Sequence, residues 1–201
     1  RRQRQMCIRD RLQRDLSLIE MTSARVHFDQ ITCSESLVAL KQAKEKGLSI
    51  SAGISIHHLT LNEQDIEGYP TFFKVKPPLR NETDRIASID AVASGLIDII
   101  SSMHTPQDEE SKRLPFEAAA SGAVGLETLL PASLQLVHGG YMDLPTLWRA
   151  LSYNPAELLG LETGQIKVGY QADLVLFDPD KPFILDRSKL HSKSKNTPYD
   201  G

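Results

Sequence analysis

Two adjacent imidazoles, His57-His58, follow an apolar, β-branched run and precede Leu59-Thr60-Leu61. A strand-end histidine is a typical metal ligand, because neutral imidazole suits zinc and the strand fixes its direction. A surface or helix-capping pair is the other reading, and the pair alone leaves both open. Further polar residues stand where apolar runs end: Asp29-Gln30 after Val26-His27-Phe28, and Met103-His104-Thr105-Pro106-Gln107 after residues 96–101. A glutamine amide is a poor zinc ligand beside imidazole or thiolate. Asp29, its neighbour on a strand, points to the opposite face. Methionine at 103 is neither a general base nor a hard-oxygen ligand. His104 reads equally as a packing or a functional residue. The run Asp108-Glu109-Glu110 reads as a solvated loop. Lys76, in Lys74-Val75-Lys76-Pro77-Pro78-Leu79-Arg80, is either a solvated loop lysine or a cation for an acidic substrate. Arg80 and Asp84 are expected to pair at the start of a helix. Gly122 and Gly125 mark a tight turn needing φ > 0. A phosphate-binding loop is excluded, because Gly-x-x-x-x-Gly-Lys-Ser/Thr is missing.

The elements that must position these groups follow from periodicity. Residues 12–21 place Leu12, Leu16 and Ile19 at helical spacing. Residues 25–31 alternate as a strand. Thr32 or Ser34 then caps a helix running to about Lys46 and stopped by Gly47. Residues 48–56 and 72–75 read as strands, 82–94 as a helix ending at Gly95, and 96–101 as a strand buried on both faces. Strand and helix alternation of this kind predicts a parallel α/β architecture. Helices are predicted near 126–137, 144–151 and 156–159, with short strands at Ile166 and 174–177. The tail from Lys181 is polar and irregular.

The chain has 201 residues, 40% hydrophobic and 24% charged, with net charge −3. That is enough for a packed core and carries no electrostatic footprint for nucleic acid. No apolar run reaches membrane-span length. Two cysteines, Cys7 and Cys33, exclude a disulfide scaffold and fit a reducing cytoplasm.

Three blocks stand out: Pro115-Phe116-Glu117-Ala118-Ala119-Ala120-Ser121-Gly122-Ala123-Val124-Gly125-Leu126-Glu127-Thr128, Asn154-Pro155-Ala156-Glu157-Leu158-Leu159-Gly160-Leu161, and Gly169-Tyr170-Gln171-Ala172-Asp173-Leu174-Val175-Leu176-Phe177-Asp178-Pro179. In order and spacing they resemble the C-terminal part of dihydroorotases, within the cyclic amidohydrolases. The resemblance implies an α/β fold: the C-terminal half of a TIM-like (β/α)8 metal-dependent hydrolase barrel, plus part of a small flanking β-sandwich. It implies zinc as cofactor and reversible cyclisation of N-carbamoyl-L-aspartate to L-dihydroorotate in cytoplasmic pyrimidine biosynthesis. His57 corresponds to a zinc-binding histidine, with His58 its structural neighbour. At other positions this chain departs from the family. Active relatives have a zinc-ligating His where Gln30 stands, and a proton-moving Asp where Met103 stands. They have a substrate-holding His at Gln107 and a substrate-contacting Asn at Lys76. Backbone around Gly122 faces substrate in the family. Lys76, Gln107 and Gly122 are thus the substrate-binding candidates and His57 the metal ligand, with no catalytic residue retained. In an active protein Asp29 or Asp108 would replace the Asp by proximity. The alternative is a catalytically silent homologue that serves as scaffold for aspartate carbamoyltransferase. A hydantoin- or allantoin-acting relative is a third reading, disfavoured by Gly125-Leu126-Glu127-Thr128. Homo-oligomerisation is expected of the full-length protein.

Residues 1–10 match, residue for residue, a translated transposon-end sequencing adapter. Residues 1–11 are therefore expected to be a non-native scar, leaving Cys7 without meaning. The remaining organisation is 12–143 partial barrel, 144–163 closing helices, and 164–201 partial β-sandwich element and tail. The chain is read as a fragment at both ends, since Asn196-Thr197-Pro198 resembles a family segment after which members continue.

Overall fold

The computed structural model describes residues 2–201, with side chains from residue 8 onward, so the side chain of Cys7 lies outside the described residues. Helix α1 (Arg2–Thr22) runs through the segment expected to be a scar; among the described side chains, residues 8–11 are exposed and Leu12 is the first that is buried. From there Leu12, Leu16 and Ile19 line one helical stripe, each no more than 5% exposed, and pack on α2 (Ser34–Glu45). Three strands follow the predicted order: β1 (Val26–Phe28), β2 (Ile50–Ser55) and β3 (Ile99–Ser101). They form a parallel sheet with β2 in the centre, in register Val26 to Ile50 and Gly53 to Ile99. Helices α2 and α4 (Glu82–Ala93) make the crossovers and touch each other. Ala52, Ile54, Leu40 and Ile89 are fully buried between these layers.

All three strands end on the same side. Asp29-Gln30, a short helix α3 (Ile56–Thr60) and Met103-His104 therefore emerge together. A fourth position is begun by His104, which bridges Ala123 in parallel. Beyond it come α5 (Glu109–Arg113), α6 (Leu129–His138), α7 (Leu144–Trp148), a wide π turn at Arg149–Tyr153, and α8 (Asn154–Leu159). Asp98, at the entry of β3, ties this side down. Its carboxylate accepts from Lys44 and from the Ala52 N–H, and its carbonyl from Asn154 Nδ2.

Several expectations are corrected. Residues 72–75 form no strand; Thr71–Phe73 is a single tight 3-10 turn. Prolines 70, 77 and 78 lack the N–H a ladder needs, and the carbonyls of Thr71 and Lys74 instead accept from Lys112 Nζ and the Gly122 N–H. Residues 166 and 174–177 form no strand either. Leu176 is fully exposed and Ile166 94% exposed, because no sheet edge lies beside them among the described residues. Stacking of Phe177 on Trp148, at 5.7 Å, is a contact of this stretch with the helices. The charged run 108–110 is not wholly loop: Asp108 caps α5 by accepting from the Ser111 N–H.

The cap of α2 also differs. Cys33 occupies the cap position and its side chain makes no capping hydrogen bond. The open N–H of Ser34 is satisfied from another helix: Asp84 Oδ1 accepts from Ser34 N (2.9 Å) and Ser34 Oγ (2.7 Å). Arg80 turns elsewhere, donating to Thr32 Oγ1, so the expected Arg80–Asp84 pair is replaced by two separate ties, one between α2 and α4 and one between the segments that lead into them. Asp84 is 3% exposed. Asp84→Ala leaves buried donors unpaired and should cost about 1–3 kcal/mol in urea unfolding. Truncation of the exposed Glu35, also in the first turn of α2, should stay within about 0.5 kcal/mol. Equal losses would show that the cross-helix cap contributes nothing of its own.

Candidate functional site

The strand ends enclose a cavity of about 270 Å³. Its lining includes Gln30, His57, His58, Lys76, Met103 and Gly122. All six were singled out from sequence; Gln107 is not among the lining residues. Its backbone N–H donates to Asn196 Oδ1 beside the cavity. A larger open groove, about 770 Å³, runs between Glu63–Ile66 and the start of α4, and none of the strand-end residues lines it.

His57 occupies the first turn of α3, where Ser55 Oγ caps the turn by accepting the His57 N–H. The ring is 1% exposed. Nδ1 lies 3.1 Å from the Tyr199 hydroxyl, whose ring stacks on the imidazole. Nε2 is buried and has no partner. His58 serves the structural role expected of it: Nε2–H donates to the Pro77 carbonyl at 3.0 Å and pins the loop that carries Lys76. Its Nδ1 is then a bare acceptor, again without a partner. Burial pushes both rings down to about 4; the neighbouring His58 adds to the effect on His57, and the Arg80 charge adds to that on His58.

Gln30 is placed by backbone as much as by side chain. β1 stops at Phe28, and Gln30 adopts φ +61°, so strand alternation no longer separates it from Asp29. The two side chains meet: Gln30 Nε2 donates to Asp29 Oδ1 (3.0 Å) and to Ser101 Oγ (3.2 Å). Ser101 spends its own proton on the Ile54 carbonyl, so both neighbours of the amide are acceptors. This fixes Oε1 as the free end, buried without a donor. Met103 has φ +42°, and Thr105 Oγ1 braces that turn through the Met103 carbonyl. His104 is structural: Nδ1 accepts from the backbone N–H groups of Gly125 and Leu126.

The glycines act by close approach. A Cβ on Gly125 would stand 2.1 Å from the Ser102 carbonyl oxygen and 3.1 Å from His57 Nε2. At Gly122, with φ +141°, it would stand 2.6 Å from the Thr105 carbonyl oxygen. Lys76 is exposed at the mouth.

Sequence reasoning missed the far end of the chain. Asn196, 3% exposed, bonds through three of its groups: Nδ2 donates to the Gly122 carbonyl, the Asn196 carbonyl accepts from Val124 N, and Oδ1 accepts from Gln107 N. Tyr199 follows it onto His57. The signal was the Asn-Thr-Pro-Tyr segment itself, present in the sequence but read as an irregular tail.

Chemically, the cavity gathers unpaired acceptors: Gln30 Oε1, His57 Nε2 and His58 Nδ1. It suits a ligand that brings positive charge or N–H donors. Zinc needs three or four donors. His57 Nε2 has the right character, but among the described residues no group of three His, Cys, Asp or Glu side chains converges. These residues alone do not make a zinc site.

A family model described as the amidohydrolase family matches residues 26–199. The chain is 43% identical over 187 residues to a dihydroorotase of Ehrlichia chaffeensis, covering 92% of this chain and 42% of that protein. It is 38% identical over 190 residues to a dihydroorotase-like protein of Pseudomonas aeruginosa, covering 94% and 45%. Among solved structures, L-hydantoinase (dihydropyrimidinase) from Arthrobacter aurescens superposes with TM-score 0.91 at 29% identity, over 96% of this chain and 44% of that one. The chain spans less than half the length of the relatives it matches.

The two buried histidines set a pH dependence. Their folded values lie near 4, below the ordinary 6.5, so the unfolded chain binds more protons between those limits. Their contribution is complete above about pH 6.5 and is lost as pH falls toward 4, by up to about 1.4 kcal/mol per unit for each ring. Urea midpoints compared near pH 7 and near pH 4.5 should fall further for the native chain than for the His57→Gln, His58→Gln double variant. Parallel shifts would show that neither ring is held neutral by burial.

Proposed function

The chain belongs to the amidohydrolase family, and from that premise we propose that it forms part of a dihydroorotase-type site interconverting N-carbamoyl-L-aspartate and L-dihydroorotate. The observation that carries this reading is the strand-end cavity, with His57 buried and its Nε2 unpaired. Relatives named dihydroorotase support the substrate class, since each resembles this chain along nearly its whole length. The reading includes a (β/α)8 barrel, of which the three parallel strands are one arc, in a homo-oligomeric cytoplasmic enzyme of pyrimidine biosynthesis. No helix among the described residues is long and apolar enough to cross a membrane.

In this reading His57 contributes one donor toward zinc, and the remaining donors lie in sequence that relatives carry outside the matched segment. Lys76, at the mouth, attracts the carboxylates of carbamoyl aspartate. The Gly122 turn and the Gln107 backbone, both held by Asn196, give the cavity a fixed wall. Gln30 Oε1 is suited to accept an N–H from the ureido group. The weak point is proton transfer. Met103 lines the cavity but holds no proton. Asp29, a candidate replacement, has an oxygen engaged by Gln30, and Asp108 by the backbone of α5.

That weakness favours a second reading, a homologue without catalysis that supports aspartate carbamoyltransferase assembly. Here Met103 and Gln30 are the end state of a site no longer used. The resemblance to a Pseudomonas aeruginosa protein named dihydroorotase-like is compatible with it.

The 201-residue chain by itself is expected neither to hold stoichiometric zinc nor to hydrolyse dihydroorotate. Turnover by that chain would refute the incomplete-site assignment. A chimera supplying the unmatched portion of the Ehrlichia chaffeensis dihydroorotase should bind zinc, and losing His57 to Ala should reduce the binding. In that chimera Met103→Asp is expected to raise hydrolysis by about 10²–10⁴, the usual worth of a positioned acid–base group. Zinc without any gain would place the proton acceptor elsewhere. Absence of both would favour the non-catalytic reading.

A further inference from the structure

We propose that Tyr199 and Thr60 are positioning residues that set the tautomer of His57, presenting Nε2 to the cavity as an unprotonated lone pair. The argument is a count of protons along one chain of hydrogen bonds. Thr60 Oγ1 lies 2.9 Å from the Ile56 carbonyl, which only accepts, so the threonine proton is used there. Tyr199 OH lies 2.7 Å from Thr60 Oγ1, and the only proton left for that contact is the tyrosine's. The tyrosine oxygen then faces His57 Nδ1 at 3.1 Å with no proton to give. Nδ1 must donate. A neutral imidazole carries one N–H, so Nε2 is bare, and it is the very atom that has no partner in the protein.

Geometry makes the relay rigid. The Ile56 carbonyl and Thr60 belong to one turn of α3, and His57 lies inside the same turn. Tyr199 is brought from 142 residues away and stacks at 25° on the ring it orients. The Thr197 hydroxyl braces the Tyr199 N–H, and Asn196 anchors the segment to the Gly122 wall. On the other side, Gly125 lets its backbone approach Nε2 without a Cβ in the way.

The tautomer follows from these contacts alone; its use in holding a metal rests on the reading given above. Long-range proton–nitrogen NMR on histidine-labelled protein distinguishes the two. In the native chain near neutral pH, His57 should show a protonated Nδ1 and a pyridine-type Nε2. Thr60→Val removes the acceptor of the tyrosine proton. That proton then turns to Nδ1, and the ring should switch to the Nε2–H form. Tyr199→Phe should give a mixture of both forms, and Thr60→Ser should restore the native pattern. A native Nε2–H ring would overturn the proposal, as would a native-like tautomer in Thr60→Val. The serine variant guards against a general packing effect, since the hydroxyl alone separates it from a disturbed fold. Zinc added to the chimera tests the use. A shift of His57 Nε2 in the Thr60→Ser protein, with affinity about 10–100-fold weaker in Thr60→Val, supports both the relay and the metal reading. Tautomer changes as expected, with no zinc effect on Nε2 in either protein, leave the relay standing and remove the metal reading.

Discussion

One buried asparagine holds the site together. Asn196 sits where three segments that have no ladder in common must meet: the end of the Gly-rich turn, the segment after His104, and the chain's own last residues. Each of these brings backbone polar groups into a region with little water. An unpaired buried amide or carbonyl costs free energy comparable to a lost hydrogen bond. Asn196 answers the Gly122 carbonyl, the Val124 N–H and the Gln107 N–H from a single position. Without it that wall would keep only the bridge between His104 and Ala123, the Gly122 N–H on Lys74, and the His104 ring under Gly125 and Leu126. The same anchoring delivers Tyr199 to His57, so wall and imidazole are ordered by one segment.

The electrostatic character of the cavity follows from its burial. No carboxylate lines it, and Lys76, its one cation, is exposed at the mouth. Three polar atoms of its lining residues are neutral acceptors without a donor: Gln30 Oε1, His57 Nε2 and His58 Nδ1. Buried unpaired acceptors are unfavourable unless something arrives to donate, and this is the physical reason to regard the cavity as a binding site. It also explains why the histidines are uncharged. With no carboxylate against them, burial has nothing opposing it except backbone acceptors around His58.

The sheet was readable because its strands are short runs of β-branched and apolar residues with helices of matching period between them. Leu12, Leu16, Ile19 and the continuously buried run of β2 needed no tertiary information. The failures share a cause. Residues 72–75 and 174–177 have strand composition, yet a strand exists only beside a partner, and composition does not say where the partner is. The cap of α2 was missed because it comes from Asp84, fifty positions away. Of the site, His57 and its neighbours at the strand ends were legible from position and resemblance. The roles of Tyr199, Thr60 and Asn196 were not: the Asn-Thr-Pro-Tyr segment carries a resemblance, but nothing in it says what it touches. Their roles arise from contacts spanning 139, 142 and 74 residues.

The backbone at the strand ends is strained at two places. Gln30 and Met103 both sit at positive φ, a conformation that costs a residue with a Cβ about 1–2 kcal/mol. Neither side chain fully compensates: Gln30 donates twice but leaves its oxygen unpaired, and Met103 offers only a thioether. Glycine or asparagine would bear the same turns at lower cost. Strain of this kind persists where surrounding structure over-determines it, and it clusters where side chains must be aimed at a ligand. Here the bracing is visible in Ser101 under Gln30 and in Thr105 under Met103. The turns are therefore properties of the scaffold, and the side chains they aim are the replaceable part. Both positions line the cavity, so whatever side chain stands at 30 or 103 is carried to it on a braced turn.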